Sequence, residues 1–150
     1  HYIKKNCNKN LNNTEIESAW NAMILDLPEY RLKFIESLTS SHNLFLLSNT
    51  NAIHISAFKE IINSSVGYSR FINCFNNCYY SSEIGLRKPN KECFNHVIKK
   101  NQLKSYETLF IDDSIQHING AKSIGIKTHH LKNEEDIISI VPDIIQSALH

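Results

Sequence analysis

The stretch TLFIDDSIQHINGAKSIGIKT, residues 108–128, decides the fold. An apolar run, Leu109-Phe110-Ile111, stops at two adjacent carboxylates, Asp112 and Asp113, and an amphipathic segment follows at once. There Ile115, Ile118, Ala121 and Ile124 recur at helical spacing, and Gly125 suits the C-terminal cap. The next run, IKTHH, reads as another strand. Strand, helix, strand in that order is the unit of a parallel sheet. Adjacent acids repel each other, so stability gives no reason to set two of them at the end of a core strand. They are placed to hold something.

The same alternation runs upstream. NLFLLSNT is the unbroken apolar run of a strand buried on both faces. Ile55, Phe58, Ile61 and Ile62 mark the helix after it, residues 64–76 read as irregular or weakly helical, and CYYSS (78–82) as a short strand. EIGLRKPN reads as a loop, and residues 91–101 as a helix with Phe94, Val97 and Ile98 inward. Before the first strand, Pro28 opens a helix with Leu32, Ile35 and Leu38 on one face. Thr14-Glu15-Ile16-Glu17 reads as a capping box for an earlier helix reaching about Asp26, in which Trp20 and Met23 are expected to pack rather than to face the cleft. The tail from Glu134 to Leu149 reads as helix interrupted at Pro142. The fold class is therefore α/β: a Rossmann-like parallel sheet with helices on both faces.

Composition excludes several functions. The 150 residues are one domain by size, and a formal net charge of +1 gives no basic field for nucleic acid or anionic membrane. No apolar run approaches a membrane span, and the first residues carry no secretory signal. Cys74 and Cys78 have metal-like spacing but no second pair, so Cys7, Cys74, Cys78 and Cys93 are expected as free thiols in a reducing cytoplasm. His129 and His130 are strand neighbours and face opposite ways, which discounts a joint metal site.

In open parallel sheets, ligands bind beyond the carboxyl ends of the strands. Ser48-Asn49, Lys88 and Asp112-Asp113 fall there. Paired carboxylates raise each other's pKa unless a cation neutralises them, and Mg²⁺ favours one or two carboxylates plus phosphate oxygens. Ser48 suits either a helix cap or an anion site. Pro89 keeps Lys88 extended, so its ammonium can be fixed against a phosphate. A phosphoacceptor receiver domain uses similar groups in the reverse order, which argues against it.

LFLLSNTN, SSEIGLRKPNKECFNHVI and TLFIDDSIQHINGAKSIGIKT resemble motifs II, III and IV of the haloacid dehalogenase-like (HAD) hydrolase superfamily, in the subgroup whose fourth motif is a double aspartate. AWNAMILDLPEYRLKFIESL resembles that subgroup's passage from its small helical cap into the core. The resemblance implies a cap remnant over residues 1–28 and a core over 29–150. It implies a Mg²⁺-dependent phosphate monoester hydrolase of a small phosphorylated metabolite, working through an aspartyl-phosphate. Ser48 would bind the phosphoryl group with the backbone at Asn49, and Lys88 would bridge phosphate and nucleophile. Asp113 would ligate Mg²⁺, and Asp112 would support the metal directly or through a water. Dehalogenation is the neighbouring chemistry, but a double acid at the metal position argues for phosphoryl transfer.

Two departures from the pattern stand out. His117 lies where the subgroup usually has Asn or another polar residue. It could orient the acids or be a surface histidine. The first motif, Asp-x-Asp ending the first strand, has no counterpart, since residues 1–13 hold no aspartate. In the resembled fold that strand lies between those ending at Ser48 and Asp112, and the buried groups it would leave unpaired cost on the order of 1–3 kcal/mol each. The expectation is an upstream segment carrying strand, nucleophile and the first part of the cap, with the 150 residues inactive alone. The alternative is a non-catalytic protein or fragment that binds Mg²⁺ or phosphate.

Overall fold

Leu46 and Leu47 are neighbours in the chain, yet they pack into different cores. The computed structural model describes residues 12, 15 and 26–147, without the side chains of residues 52 and 53. Leu46 packs with Leu32, Ile62, Phe71 and Cys74, whereas Leu47 packs with Phe94, Ala121 and Ile126. Successive side chains of a strand point to opposite faces. Strand β1 (Phe45–Ser48) therefore has helices on each side. On one face lie α1 (Glu29–Leu38), α2 (Ala52–Ser65) and the short α3 (Tyr68–Ile72). On the other lie α5 (Lys91–Lys100) and α6 (Ile115–Lys122). Edge-on aromatic contacts fix each layer, Phe58 and Phe75 against Phe71 on the first and Phe94 against Phe110 on the second.

The remaining elements are β2 (Asn77–Tyr80), the single turn α4 (Ser81–Ile84), β3 (Leu109–Asp112), β4 (Lys127–His130) and α7 (Ile137–Ser147). All pairing is parallel: β1 runs beside β2 with Ser48 opposite Tyr80, and β3 beside β4 with Asp112 opposite His130. Among the described residues, however, the two pairs are separate two-stranded sheets.

The unpaired edges can be identified from hydrogen bonds. Leu44 O accepts from Asn76 N, so Leu44, Leu46 and Ser48 turn their backbone groups to β2, and Phe45 and Leu47 turn theirs away. Thr108 O accepts from Lys127 N and Asp112 O from Leu131 N, so Leu109 and Ile111 turn away from β4. Between β1 and β3 the described chain thus has a seam with two bare edges, where the sequence led us to expect a missing first strand.

Some elements differ from the sequence reading. The tail helix runs straight through Pro142 rather than breaking there. Pro142 is exposed, and burial of Val141 with the isoleucines around it offsets the one lost backbone bond. Residues 64–76 are more regular than expected, because α2 continues to Ser65 and α3 follows. Ser81 and Ser82 leave the strand for a helical turn, since the Ser81 hydroxyl is engaged by the Thr50 backbone. At the start, Asn12 and Glu15 form a reciprocal capping pair, each side chain accepting the other's backbone N–H at 2.8 Å. Thr14, Glu17, Trp20 and Met23 lie outside the described residues. No described helix is long and apolar enough to cross a membrane.

Gly120 is where α6 meets the loop carrying Lys88. A Cβ there would fall deep inside contact with the Pro89 carbonyl and 2.9 Å from Phe94 Cε2. Gly120→Ala is expected to lower stability by about 1–3 kcal/mol, the usual range for overpacking, read as a lower denaturant midpoint at unchanged slope.

Candidate active site

The seam closes at one end on Lys88. This residue is only 7% exposed, and its ammonium donates to Leu47 O at 2.9 Å and to Asp112 Oδ2 at 2.7 Å. The first is a carbonyl on the bare edge of β1; the second is the carboxylate that ends β3. An ammonium has three protons, and among the described residues the third has no partner. Its alkyl approach is lined by Phe110, whose ring centre lies 5.5 Å from Nζ. Lys88 is therefore a buried cation held in the gap between two strand ends, with donor capacity unspent.

Its backbone is held as tightly as its side chain. Asn49 Oδ1 accepts from Lys88 N at 2.9 Å, and Asn49 Nδ2 donates to Lys88 O at 2.8 Å. The Asn49 side chain is thus committed to Lys88, leaving only its backbone for a ligand. The next residue is tied down in the same way, since Ser81 Oγ accepts from Thr50 N and donates to Thr50 O. The cap of α2 is Asn51, whose side chain accepts from His54 N. Ser48 is thereby relieved of capping. It is half-buried at the carboxyl end of β1, with no hydrogen-bond partner for its hydroxyl among the described residues.

The two acids have different surroundings. The Asp112 side chain is 9% exposed, with Oδ2 on Lys88 and Oδ1 accepting from Ser114 N and His117 Nδ1, both at 2.9 Å. Burial pushes its carboxyl up, but Lys88, the Ser114 N–H and His117 outweigh that and hold it below the usual carboxylate range. Asp113 is exposed, and among the described residues nothing engages its carboxylate. Its carbonyl accepts from His130 Nε2 at 3.0 Å, while Asp112 O accepts from Leu131 N, so both peptides of the acidic turn are fastened to the end of β4. Asp113 is thus a hard, free oxygen donor on a fixed backbone, which fits Mg²⁺ bound with further oxygen ligands. The described residues contain no ready cluster of three His, Cys, Asp or Glu.

Ser48, Asn49, Lys88, Asp112 and Asp113 therefore come together, drawn from three separate segments. The thiols stay out of it: Cys74, Cys78 and Cys93 are free and shifted upward by burial, which disfavours thiolate. A shallow polar concavity beside His42, Asn43 and Asn76 lies at the opposite end of β1 and β2. Sequence reasoning gave no role to Ser81, although it opens the stretch resembling motif III, or to His130; their only signal is a polar residue at the end of a strand. His117 was seen as an oddity, and the structure places it against Asp112.

Because the Asp112 pKa is lowered on folding, its ionisation supports the folded state above the ordinary value near 3.9. That support is lost as pH falls through the lowered folded value. Asp112→Asn should therefore flatten the loss of stability below about pH 4. It should also cost on the order of 3 kcal/mol at neutral pH by leaving Lys88 unpaired. Urea unfolding across the pH range reads both.

Comparison with known proteins gives the family. Residues 11–125 match the family described as haloacid dehalogenase-like hydrolase. A D-ribitol-5-phosphate phosphatase of Bacteroides thetaiotaomicron is 32% identical over 130 residues, 87% of this chain and 63% of its own length. The chain therefore spans less than two thirds of that relative. A crystal structure of a wild-type HAD family enzyme from the same organism, in complex with magnesium and inorganic phosphate, superimposes with a TM-score of 0.78 at 31% identity, covering 89% of this chain and 67% of that one. A predicted HAD-like family hydrolase from Porphyromonas gingivalis gives 0.82 at 26% identity, covering 97% and 70%. The chain belongs to the haloacid dehalogenase-like hydrolase family.

Proposed function

We propose that this protein is a Mg²⁺-dependent phosphatase of a small phosphorylated metabolite, acting through a phosphorylated aspartate. The observation that carries the reading is Lys88: a buried cation with one proton that no described residue accepts, fixed where two strands end. Phosphoryl transfer asks little of a protein beyond position and charge stabilisation. Lys88 would bridge the phosphoryl group and its carboxylate acceptor, and offset charge as the phosphoryl passes between them. The Ser48 hydroxyl and the Asn49 backbone would bind the phosphoryl oxygens. Asp113 would hold Mg²⁺, with Asp112 behind it keeping Lys88 in place. The ion supplies charge neutralisation and orientation of the phosphate. The name of the ribitol phosphate phosphatase and the bound magnesium and phosphate of the Bacteroides enzyme support the same class.

The nucleophile fits the seam. A strand filling it would pair with Phe45 and Leu47 on one side and with Leu109 and Ile111 on the other. It would be apolar on both faces beside β1, where helices cover both. Its last residues would come within reach of the unspent proton of Lys88. We place there an Asp-x-Asp strand lying outside residues 1–150, whose first acid attacks the phosphorus and whose second protonates the leaving alcohol. On this reading residues 1–28 end a helical cap that selects the substrate, and 29–150 form the core. The buried thiols suit a reducing cytoplasm.

The test is hydrolysis of sugar and polyol phosphates by the full-length protein. Expected are Mg²⁺-dependent release of phosphate, loss of it in Asp113→Asn, and a fall of about 10²–10³-fold in kcat for Lys88→Met, the cost of one well-placed charge-stabilising donor. Residues 1–150 alone should release none. Unchanged Mg²⁺-dependent turnover in Asp113→Asn would overturn the assignment. Phosphate and Mg²⁺ binding by the full-length protein without turnover would favour a non-catalytic binding protein.

A further inference from the structure

The contacts around Lys88 form a closed ring, and His117 is the residue that closes it. Lys88 Nζ donates to Asp112 Oδ2, and His117 Nδ1 meets Asp112 Oδ1 at 2.9 Å. The other ring nitrogen of His117 lies 3.5 Å from Asn49 Nδ2, and Asn49 returns to the Lys88 backbone through both its oxygen and its nitrogen. The side chain of His117 is 21% exposed, so this is an interior contact rather than a surface one. Four residues from four segments, the ends of β1 and β3, the loop before α5 and helix α6, are linked without a gap.

The chemistry of the partners dictates where the protons lie. The Asn49 amide cannot be flipped, because its oxygen faces a backbone N–H and its nitrogen a backbone carbonyl. The second amide proton of Asn49 is thus directed at His117 Nε2, which must accept. On the other side the Asp112 carboxylate can only accept, so Nδ1 must donate. A neutral imidazole with its proton on Nδ1 satisfies both demands, and the alternative tautomer satisfies neither.

We infer that His117 is a positioning residue for the proposed phosphoryl transfer: held as the Nδ1–H tautomer, it ties Asp112 to Asn49 and so holds the Lys88 ammonium and backbone in register. An asparagine at this position could reproduce the contact to Asp112, since its amide nitrogen stands where Nδ1 does. It is too short to reach Asn49. The inference rests on the phosphatase reading for its consequence, but not for its geometry.

Two measurements on the full-length protein test it separately from that reading. The first is the ¹⁵N spectrum of the His117 ring in the wild-type protein at mildly alkaline pH. A proton on Nδ1 is expected, and a proton on Nε2 would overturn the ring whatever the enzyme does. The second is turnover with saturating Mg²⁺ across His117→Ala, His117→Asn and His117→Gln. Expected is a loss of about 10–100-fold in kcat for Ala, typical of partners one layer behind a reacting group, with little change in KM. Asn, which keeps only the contact to Asp112, and Gln, which keeps only that to Asn49, should each recover part of it, and full recovery by Asn would overturn the tie to Asn49. Equal kcat in wild type and Ala overturns the positioning role. An inactive wild type with the Nδ1 proton in place would instead remove the phosphatase reading and leave the ring standing. Should His117→Ala fail to fold, the wild-type tautomer and the Asn–Gln pair still decide.

Discussion

A lysine ammonium buried between two strand ends is the constraint on which the rest of this structure depends. Taking a charge out of water costs several kcal/mol unless it is paired and hydrogen-bonded. Every nearby feature serves that requirement for Lys88. Asp112 supplies the countercharge, Leu47 O a second acceptor, and Asn49 fixes the backbone. Gly120 lets α6 come close enough to seat the Lys88-Pro89 loop. A cation so placed has its desolvation met before any substrate arrives. The unspent proton is then free for a group that the described residues do not contain.

That incompleteness has one physical origin, the seam. Two parallel pairs, the first with helices on both faces of β1, leave bare backbone on β1 and β3 among the described residues, and the polar cluster around Lys88 sits at the carboxyl end of the gap. On the proposed reading, one strand would complete both the sheet and the chemistry. A strand would satisfy the carbonyls and amides of Phe45, Leu47, Leu109 and Ile111, and a carboxylate at its end would meet Lys88. The differing states of the two acids follow as well. Asp112 is engaged by Lys88, Ser114 and His117, and Asp113 is exposed with no described residue on its carboxylate.

Much of this was legible in the sequence, because strand cores and turns write themselves locally. Leu109-Phe110-Ile111 before Asp112-Asp113, and the apolar run before Ser48, marked strand ends by composition alone. The spacing of Ile118 and Ala121 marked the face of α6. What stayed hidden depended on partners distant in the chain. Asn49 read as a phosphate contact through its backbone, and nothing local showed that its side chain clamps a backbone 39 residues away. Ser81 read as strand, until its hydroxyl is seen tied to Thr50. Pro142 read as a break, because local propensity cannot weigh a buried apolar face against one missing hydrogen bond. His117 stood out only as a departure from a pattern, and its two ring nitrogens gain meaning from residues 5 and 68 positions away.

The most direct measurement of the account is to trap the covalent intermediate. Full-length protein would be mixed with Mg²⁺ and a phosphate monoester, quenched in acid, reduced with borohydride and mapped by mass spectrometry, since borohydride converts an aspartyl-phosphate to homoserine. The account predicts one modified aspartate, in a strand outside residues 1–150, with Asp112 and Asp113 untouched. Modification of Asp112 or Asp113, or turnover with no modified aspartate anywhere, would contradict it.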